Sequence, residues 1–111
     1  MRYIDGGVCT PKGFRASGIN CGIKNFDTKK DLALIVSDNM CSAAAVYTTN
    51  KVKGAPIEVT KNNIADGKAQ AIICNSGNAN TCAPGGLEIA EKTCELTADA
   101  LSLESKDIIV C

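Results

Sequence analysis

Three asparagines, a serine and a glycine fall within six positions in the stretch NSGNAN, residues 75–80. A carboxamide offers two N–H donors and a carbonyl acceptor, and it carries no charge. Gathered behind the apolar run AIIC (71–74), such residues can wall a pocket that holds a carboxylate or an amide without adding a titrating group. The segment beyond, APGGLEIAEKTCELTADAL (83–101), has the pattern of a helix. Its first turn would add unpaired backbone N–H groups and a field that favours an anion. Asn75, Ser76, Gly77, Asn78 and Asn80 are therefore candidate site-lining residues. A plainer use exists for the same residues: asparagines cap helices and tie turns to themselves. The residues alone leave both readings open.

Two other stretches carry charge at positions of interest. In TTNKVKGAP (48–56), Lys51 and Lys53 flank Val52 and could attract a carboxylate, or simply form a solvated face. In TPKGFRASG (10–18), Arg15 could clamp an anion or join a surface ion pair. No catalytic set is complete. The chain has no histidine, so a Ser-His-Asp triad cannot be built from it and a thiol would lack its usual activator. No glycine loop is followed by the Lys-Ser/Thr of a phosphate-binding motif. Seven cysteines stand at 9, 21, 41, 74, 82, 94 and 111 without any CxxC pair, and no metal site is expected. In a reducing compartment they read as small packing hydrophobes, with a reactive thiol as the alternative.

The elements that must hold these residues follow from pattern and punctuation. At 111 residues the chain fits one domain or part of one, and it can bury about 65% of its unfolded surface. GFRASGI and NCGIK suggest two short strands, with Pro11 and Gly13 marking the turn before them. FDTKKD (26–31) reads as a charged turn, and DLALIVSD (31–38) as a strand covered on both faces. SAAAVYTTN (42–50) looks like its antiparallel neighbour, with DNMC as the connection. GAPIEVTKNNIADG suits a short helix with Pro56 early and Gly67 just past its end. KAQAIIC is a strand. In the helix beginning near Gly86, residues Leu87, Ala90, Cys94, Ala98 and Leu101 make one apolar stripe, with Glu88 and Lys92 paired on the wet side. DIIVC (107–111) is again strand-like. The class is α/β or α+β, a mixed sheet with packed helices.

Composition excludes several partners. Net charge is zero, from 12 basic and 12 acidic residues, and no basic block suggests a nucleic acid. No apolar run approaches the ~20 residues that span a bilayer, and the N-terminus lacks the apolar core of a signal peptide. A cytoplasmic location is the expectation. The chain stops inside a strand-like run, which suggests that residues 1–111 are a segment of something longer.

Three stretches in order carry a resemblance: GVCTPKGFRASGINCGIK, then KDLALIVSDNMCSAAAVYTTNKVKGAP, then AIICNSGNANTC. Together they resemble the N-terminal part of the ornithine acetyltransferase family, the bifunctional glutamate N-acetyltransferase / amino-acid acetyltransferase enzymes of arginine biosynthesis. The Pro-Lys-Gly-Phe-Arg, Tyr-Thr-Thr-Asn and Asn-Ser-Gly-Asn-Ala-Asn pieces are specific as a set. The resemblance implies an N-terminal-nucleophile-type fold and a precursor that cuts itself into α and β chains, here with an α2β2 assembly as the natural guess. The threonine freed at the start of the β chain takes acetyl from N-acetylornithine and passes it to glutamate. Such a threonine carries its own amine base, which suits a chain without histidine. Some members also accept acetyl-CoA, so it is a candidate co-substrate, and no cofactor is expected. The family's oxyanion pair, Thr-Gly, would lie just past Cys111. No catalytic residue of the family therefore maps onto this chain, and residues 1–111 alone are expected to be inactive and poorly soluble, with DIIVC and DLALIVSD exposing pairing edges. The alternatives are a small non-catalytic binding module complete as given, and a thiol-based redox protein or metal carrier.

Overall fold

The computed structural model describes residues 3, 5–24, 28–78 and 80–111. The elements in chain order are β1 (Phe14–Ile19), β2 (Leu32–Ser42), α1 (Ala55–Asn63), β3 (Lys68–Asn75), α2 (Gly86–Leu101) and β4 (Ile108–Val110). One 3₁₀ turn, Ile64–Asp66, follows α1, and another, Ser105–Asp107, precedes β4. The strands form one sheet in the order β1-β2-β3-β4. β1, β2 and β3 pair antiparallel, and β4 joins β3 in parallel. Helix α2 supplies the long crossover that a parallel pair requires. The fold is thus the expected mixed sheet with packed helices, of α+β class.

Local chemistry accounts for both helices. Pro56 sits in the first turn of α1, and Gly67 takes φ 75° where the chain turns into β3. In α2 the stripe Ala90, Cys94 and Ala98 is buried to 3%, 2% and 2% exposure. These small side chains let α2 approach α1 and β4 closely. Leu87, placed on the same stripe by spacing, is 40% exposed. Its angle is right, but no described element reaches far enough to cover the first turn. Lys92 pairs with Glu95 at 2.8 Å, and not with Glu88.

The two faces of the sheet differ. Val36, Ala71, Ile73, Ile108 and Val110 point to the helices and form the core with Val59, Ala90, Cys94 and Ala98. On the opposite face, Phe14, Ile35, Ile72 and Ile109 are half-buried and line a shallow apolar depression of about 290 Å³. Within residues 1–111 the helices cover one face of β2, and the second cover expected for it would have to come from outside the described residues.

Three further expectations are corrected. NCGIK is a loop, because the Asp31 carboxylate accepts the backbone N–H groups of Cys21 (2.8 Å) and Lys24 (3.0 Å) and offers that backbone a better partner than a strand ladder. SAAAVYTTN is not a strand beyond Ser42. β2 runs on through DNMC with an irregularity between Val36 and Cys41, and both its flanks are already taken, by β1 and β3. The outer edge of β4 is not open to pairing. Thr60 donates its hydroxyl to the Val110 carbonyl (2.9 Å) and accepts the Val110 N–H (3.1 Å), while Asn63 Nδ2 donates to the Ile108 carbonyl (2.9 Å). Helix α1 thus closes an edge that would otherwise recruit another strand. Part of the charged turn expected at 26–31 lies outside the described residues.

Candidate functional site

Parallel pairing sets the C-terminal ends of β3 and β4 side by side. The Asn75 N–H donates to the Cys111 carbonyl at 3.1 Å, and its Nδ2 donates to the same oxygen at 3.2 Å. The Cys111 N–H in turn donates to the Ile73 carbonyl at 2.9 Å. One carboxamide of the loop therefore locks the two strand ends together. The loop then turns across the start of both helices. The Asn80 carbonyl accepts the N–H of Ala55 at 3.1 Å, and a bridge joins Thr81 to Gly54. A Cβ at Gly54 would sit 2.8 Å from Asn80 Oδ1, so a larger residue there would displace that carboxamide.

Asn75, Asn78 and Asn80 converge on a cavity of about 140 Å³ between Val110 and the beginning of α2, with Pro84, Gly86 and Thr93 on its other walls. None of them caps that helix: its N-cap is Gly85, at φ 67°, with no side-chain hydrogen bond. Asn75, Asn78 and Asn80 thus border this cavity and do not cap α2. Ser76 and Gly77 face partly outward. Ser76 Oγ accepts Lys24 Nζ at 2.6 Å, and its N–H donates to the Asp31 carbonyl at 2.8 Å. Gly77 takes φ 127°, and a Cβ there would lie 2.6 Å from Lys24 Cγ. Gly77 also borders a second hollow of about 300 Å³ with Asn75, Asn78 and Cys111.

The remaining sequence candidates separate cleanly. Arg15 pairs with Asp38 at 3.0 Å with both side chains exposed, so it is a surface ion pair and not a clamp. Lys51 and Lys53 are exposed. Asp31 is buried and anchors the loop that carries Lys24. The N–H donors of Cys21 and then Lys24 hold its carboxyl down to about 2. The Cys21 thiol, which donates to Asp31 at 3.3 Å, is pushed up by that bond.

Tyr47 escaped the sequence reading as a polar group. Its hydroxyl is buried and has no hydrogen-bond partner among the described residues. It lines a hollow of about 380 Å³ shared with Thr60, Asn80, Thr81 and Cys111. The signal was its place in the Tyr-Thr-Thr-Asn piece of a chain with few aromatic residues.

The cysteines also depart from expectation. Cys94 alone is fully buried, and burial pushes its thiol up. Cys41 and Cys74 are half-buried, and Cys9, Cys21, Cys82 and Cys111 are exposed. Packing explains Cys94, not the set. Loss of surrounding water and the neighbouring Cys74 thiol push Cys111 up to about 11. Among the described residues, no three His, Cys, Asp or Glu side chains gather as a metal site. No helix there is long and apolar enough to cross a membrane.

Comparison with known proteins identifies the relatives. The ArgJ family profile matches residues 15–111. The arginine biosynthesis bifunctional protein ArgJ of Caldanaerobacter subterraneus subsp. tengcongensis is 46% identical over 112 residues, covering 100% of this chain and 27% of that protein. The ArgJ protein of Bacillus anthracis is 49% identical over 108 residues, covering 96% of this chain and 26% of that protein. The chain thus spans about a quarter of the length of these relatives. Among solved structures, ArgJ from Bacillus halodurans superposes with a TM-score of 0.89 at 43% identity, covering 95% of this chain and 55% of that one. Ornithine acetyltransferase from Mycobacterium tuberculosis, solved in complex with ornithine, gives a TM-score of 0.86 at 39% identity, covering 95% and 57%. The sequence and fold matches each extend over nearly the whole chain: the chain belongs to the ArgJ family.

Proposed function

We propose that these residues are the N-terminal segment of the α chain of a self-processing acetyltransferase of arginine biosynthesis, which moves acetyl from N-acetylornithine to glutamate. The observation that carries this reading is the parallel β3–β4 pair. It sets the asparagine loop beside the point where the chain leaves β4, and the ArgJ match runs through that point to Cys111. In the proposed mechanism the β-chain threonine hydroxyl attacks the acetyl carbonyl while its own α-amine takes the proton. Ornithine leaves with a free amine. The glutamate amine then attacks the threonine ester, which restores the hydroxyl. A Thr-Gly pair beyond Cys111 would steady both tetrahedral oxyanions.

The role of this segment is to build the wall. Asn78 and Asn80 present neutral amides at the cavity beside Val110, and the lock between Asn75 and the Cys111 carbonyl fixes where the following backbone emerges. Acetyl-CoA as an additional donor, an α2β2 assembly and a cytoplasmic location belong to the same proposal. Division into two chains is supported by proportion. The segment is 27% of one full-length relative but 55% of the ArgJ chain solved from another organism.

The test uses the full-length protein. It should split into two chains and exchange acetyl between N-acetylornithine and glutamate, and replacing the nucleophilic threonine should abolish both. Asn78→Ala and Asn80→Ala should each lower kcat/KM about tenfold without stopping cleavage, the equivalent of one lost hydrogen bond. If the intact protein neither splits nor exchanges acetyl, the proposal is wrong.

A further inference from the structure

The main-chain groups of β4 point alternately to its two sides, as in any extended strand. Cys111 turns towards β3: its N–H donates to the Ile73 carbonyl, and its own carbonyl accepts the Asn75 N–H. Val110 turns to the outer edge, where Thr60 serves both its N–H and its carbonyl, and the Ile108 carbonyl accepts Asn63 Nδ2 on the same side. Asn63 thus serves the start of β4 and Thr60 its end, so α1 runs against the strand. The next turn of α1 towards its N-terminus brings Pro56 and Ile57, whose side chains carry no polar atom. One more extended residue after Cys111 would again turn its carbonyl outward, to a place where α1 has no donor to offer it.

Tyr47 stands at that place. It lines the hollow of about 380 Å³ bounded by Pro56, Ile57, Thr60, Val110 and Cys111, and its hydroxyl is buried with no hydrogen-bond partner among the described residues. A buried hydroxyl seldom stays unpaired, because burial removes its water and nothing replaces it. We infer that the Tyr47 hydroxyl donates to the main-chain carbonyl of the residue that follows Cys111, third in the series after Asn63 and Thr60. Asn75 holds the strand end from the β3 side, and Tyr47 holds the next residue from the other. The catalytic part of this inference rests on the acetyl-transfer reading above, in which the oxyanion pair begins here. The peptide plane is rigid, so fixing that carbonyl outward fixes the following N–H inward, where it can meet an oxyanion. Tyr47 is then a positioning residue that acts through this backbone and touches no substrate.

The experiment compares full-length Tyr47→Phe with the wild-type protein, with Tyr3→Phe as control. Amide hydrogen exchange should quicken about tenfold in the peptide that spans Cys111 and the residues after it, as the loss of one hydrogen bond predicts, and stay unchanged in β1 and β2. In acetyl exchange between N-acetylornithine and glutamate, kcat should fall about tenfold with KM and the pH profile unchanged. Tyr3→Phe should alter neither measurement, since Tyr3 is exposed. Unchanged hydrogen exchange at the junction, or exchange that quickens equally across the whole protein, would overturn the contact. A quickened junction with undiminished kcat, or a raised KM in place of a lowered kcat, would overturn the positioning role. A wild-type protein that transfers no acetyl would refute the acetyl-transfer reading and the positioning role with it, while hydrogen exchange would still decide the contact.

Discussion

The two faces of one sheet are unequal, and adjacent residues show it. Ile108 points to α1 and α2 and is 0% exposed, whereas Ile109 points the other way and is only half-buried. Both are isoleucines of one short strand, and period-2 alternation separates them. On the helical face, small residues of α2 let two helices and a sheet close together. On the other face, an apolar surface of Phe14, Ile35, Ile72 and Ile109 borders only a shallow depression. Apolar sequence is thus a necessary condition for burial and not a sufficient one; a second layer must also be present.

The largest test of this contrast is Ile108→Ala, which should cost about 2–5 kcal/mol for loss of a fully buried side chain. Ile109→Ala in residues 1–111 should cost about 1 kcal/mol or less. Urea denaturation of both variants measures the gap, and equal costs would erase the distinction between the faces. Repeating the pair in the full-length protein sharpens it, because a rise for Ile109→Ala alone would mean that further chain packs on that face.

Next in size is the β4 edge. Thr60→Val keeps the shape but leaves the N–H and C=O of Val110 without their partner, at about 1–3 kcal/mol in the same measurement. A neutral result would mean that water replaces the hydroxyl and the edge is less closed than the bonds indicate.

A pH-dependent effect belongs to Asp31. Its folded carboxyl is held down to about 2 against an ordinary 3.8, so its ionised form stabilises the fold at and above the ordinary value, and that contribution is lost as pH falls towards 2. Asp31→Asn should lower Tm at neutral pH and flatten the decline in acid. An unchanged acid profile in the variant would show that other carboxylates govern it. The smallest effect is expected at Lys92→Ala. It removes an exposed ion pair and should shift stability by a few tenths of a kcal/mol, a useful control for surface substitutions on the covered side.

Legibility in the sequence followed the range of the interaction. Pro56 and Gly67 marked α1 because their backbone preferences act within one turn. The Ala90, Cys94 and Ala98 stripe marked α2 because helical spacing is local. KAQAIIC and DIIVC were readable as strands for the same reason. NCGIK was misread because its decisive partner, Asp31, lies several residues downstream and binds backbone N–H groups through a side chain. SAAAVYTTN was misread because its pairing depended on which flanks of β2 were vacant. Within the site, the asparagine cluster was visible as composition, but nothing in the order of residues showed that Asn75 would be used on the Cys111 carbonyl while Asn78 and Asn80 would face a cavity.

Residue identity alone settled that residues 1–111 contribute no histidine, that the polar loop falls between a strand and a helix, and that specific motifs place the chain among its relatives. Tertiary structure settled which strands are neighbours and in which direction. Because β4 joins β3 in parallel, the asparagine loop, the Tyr47 hydroxyl and two distant thiols meet at one end of the sheet. Contacts across some forty residues depend on register, and register is a property of the assembled sheet that no local pattern encodes.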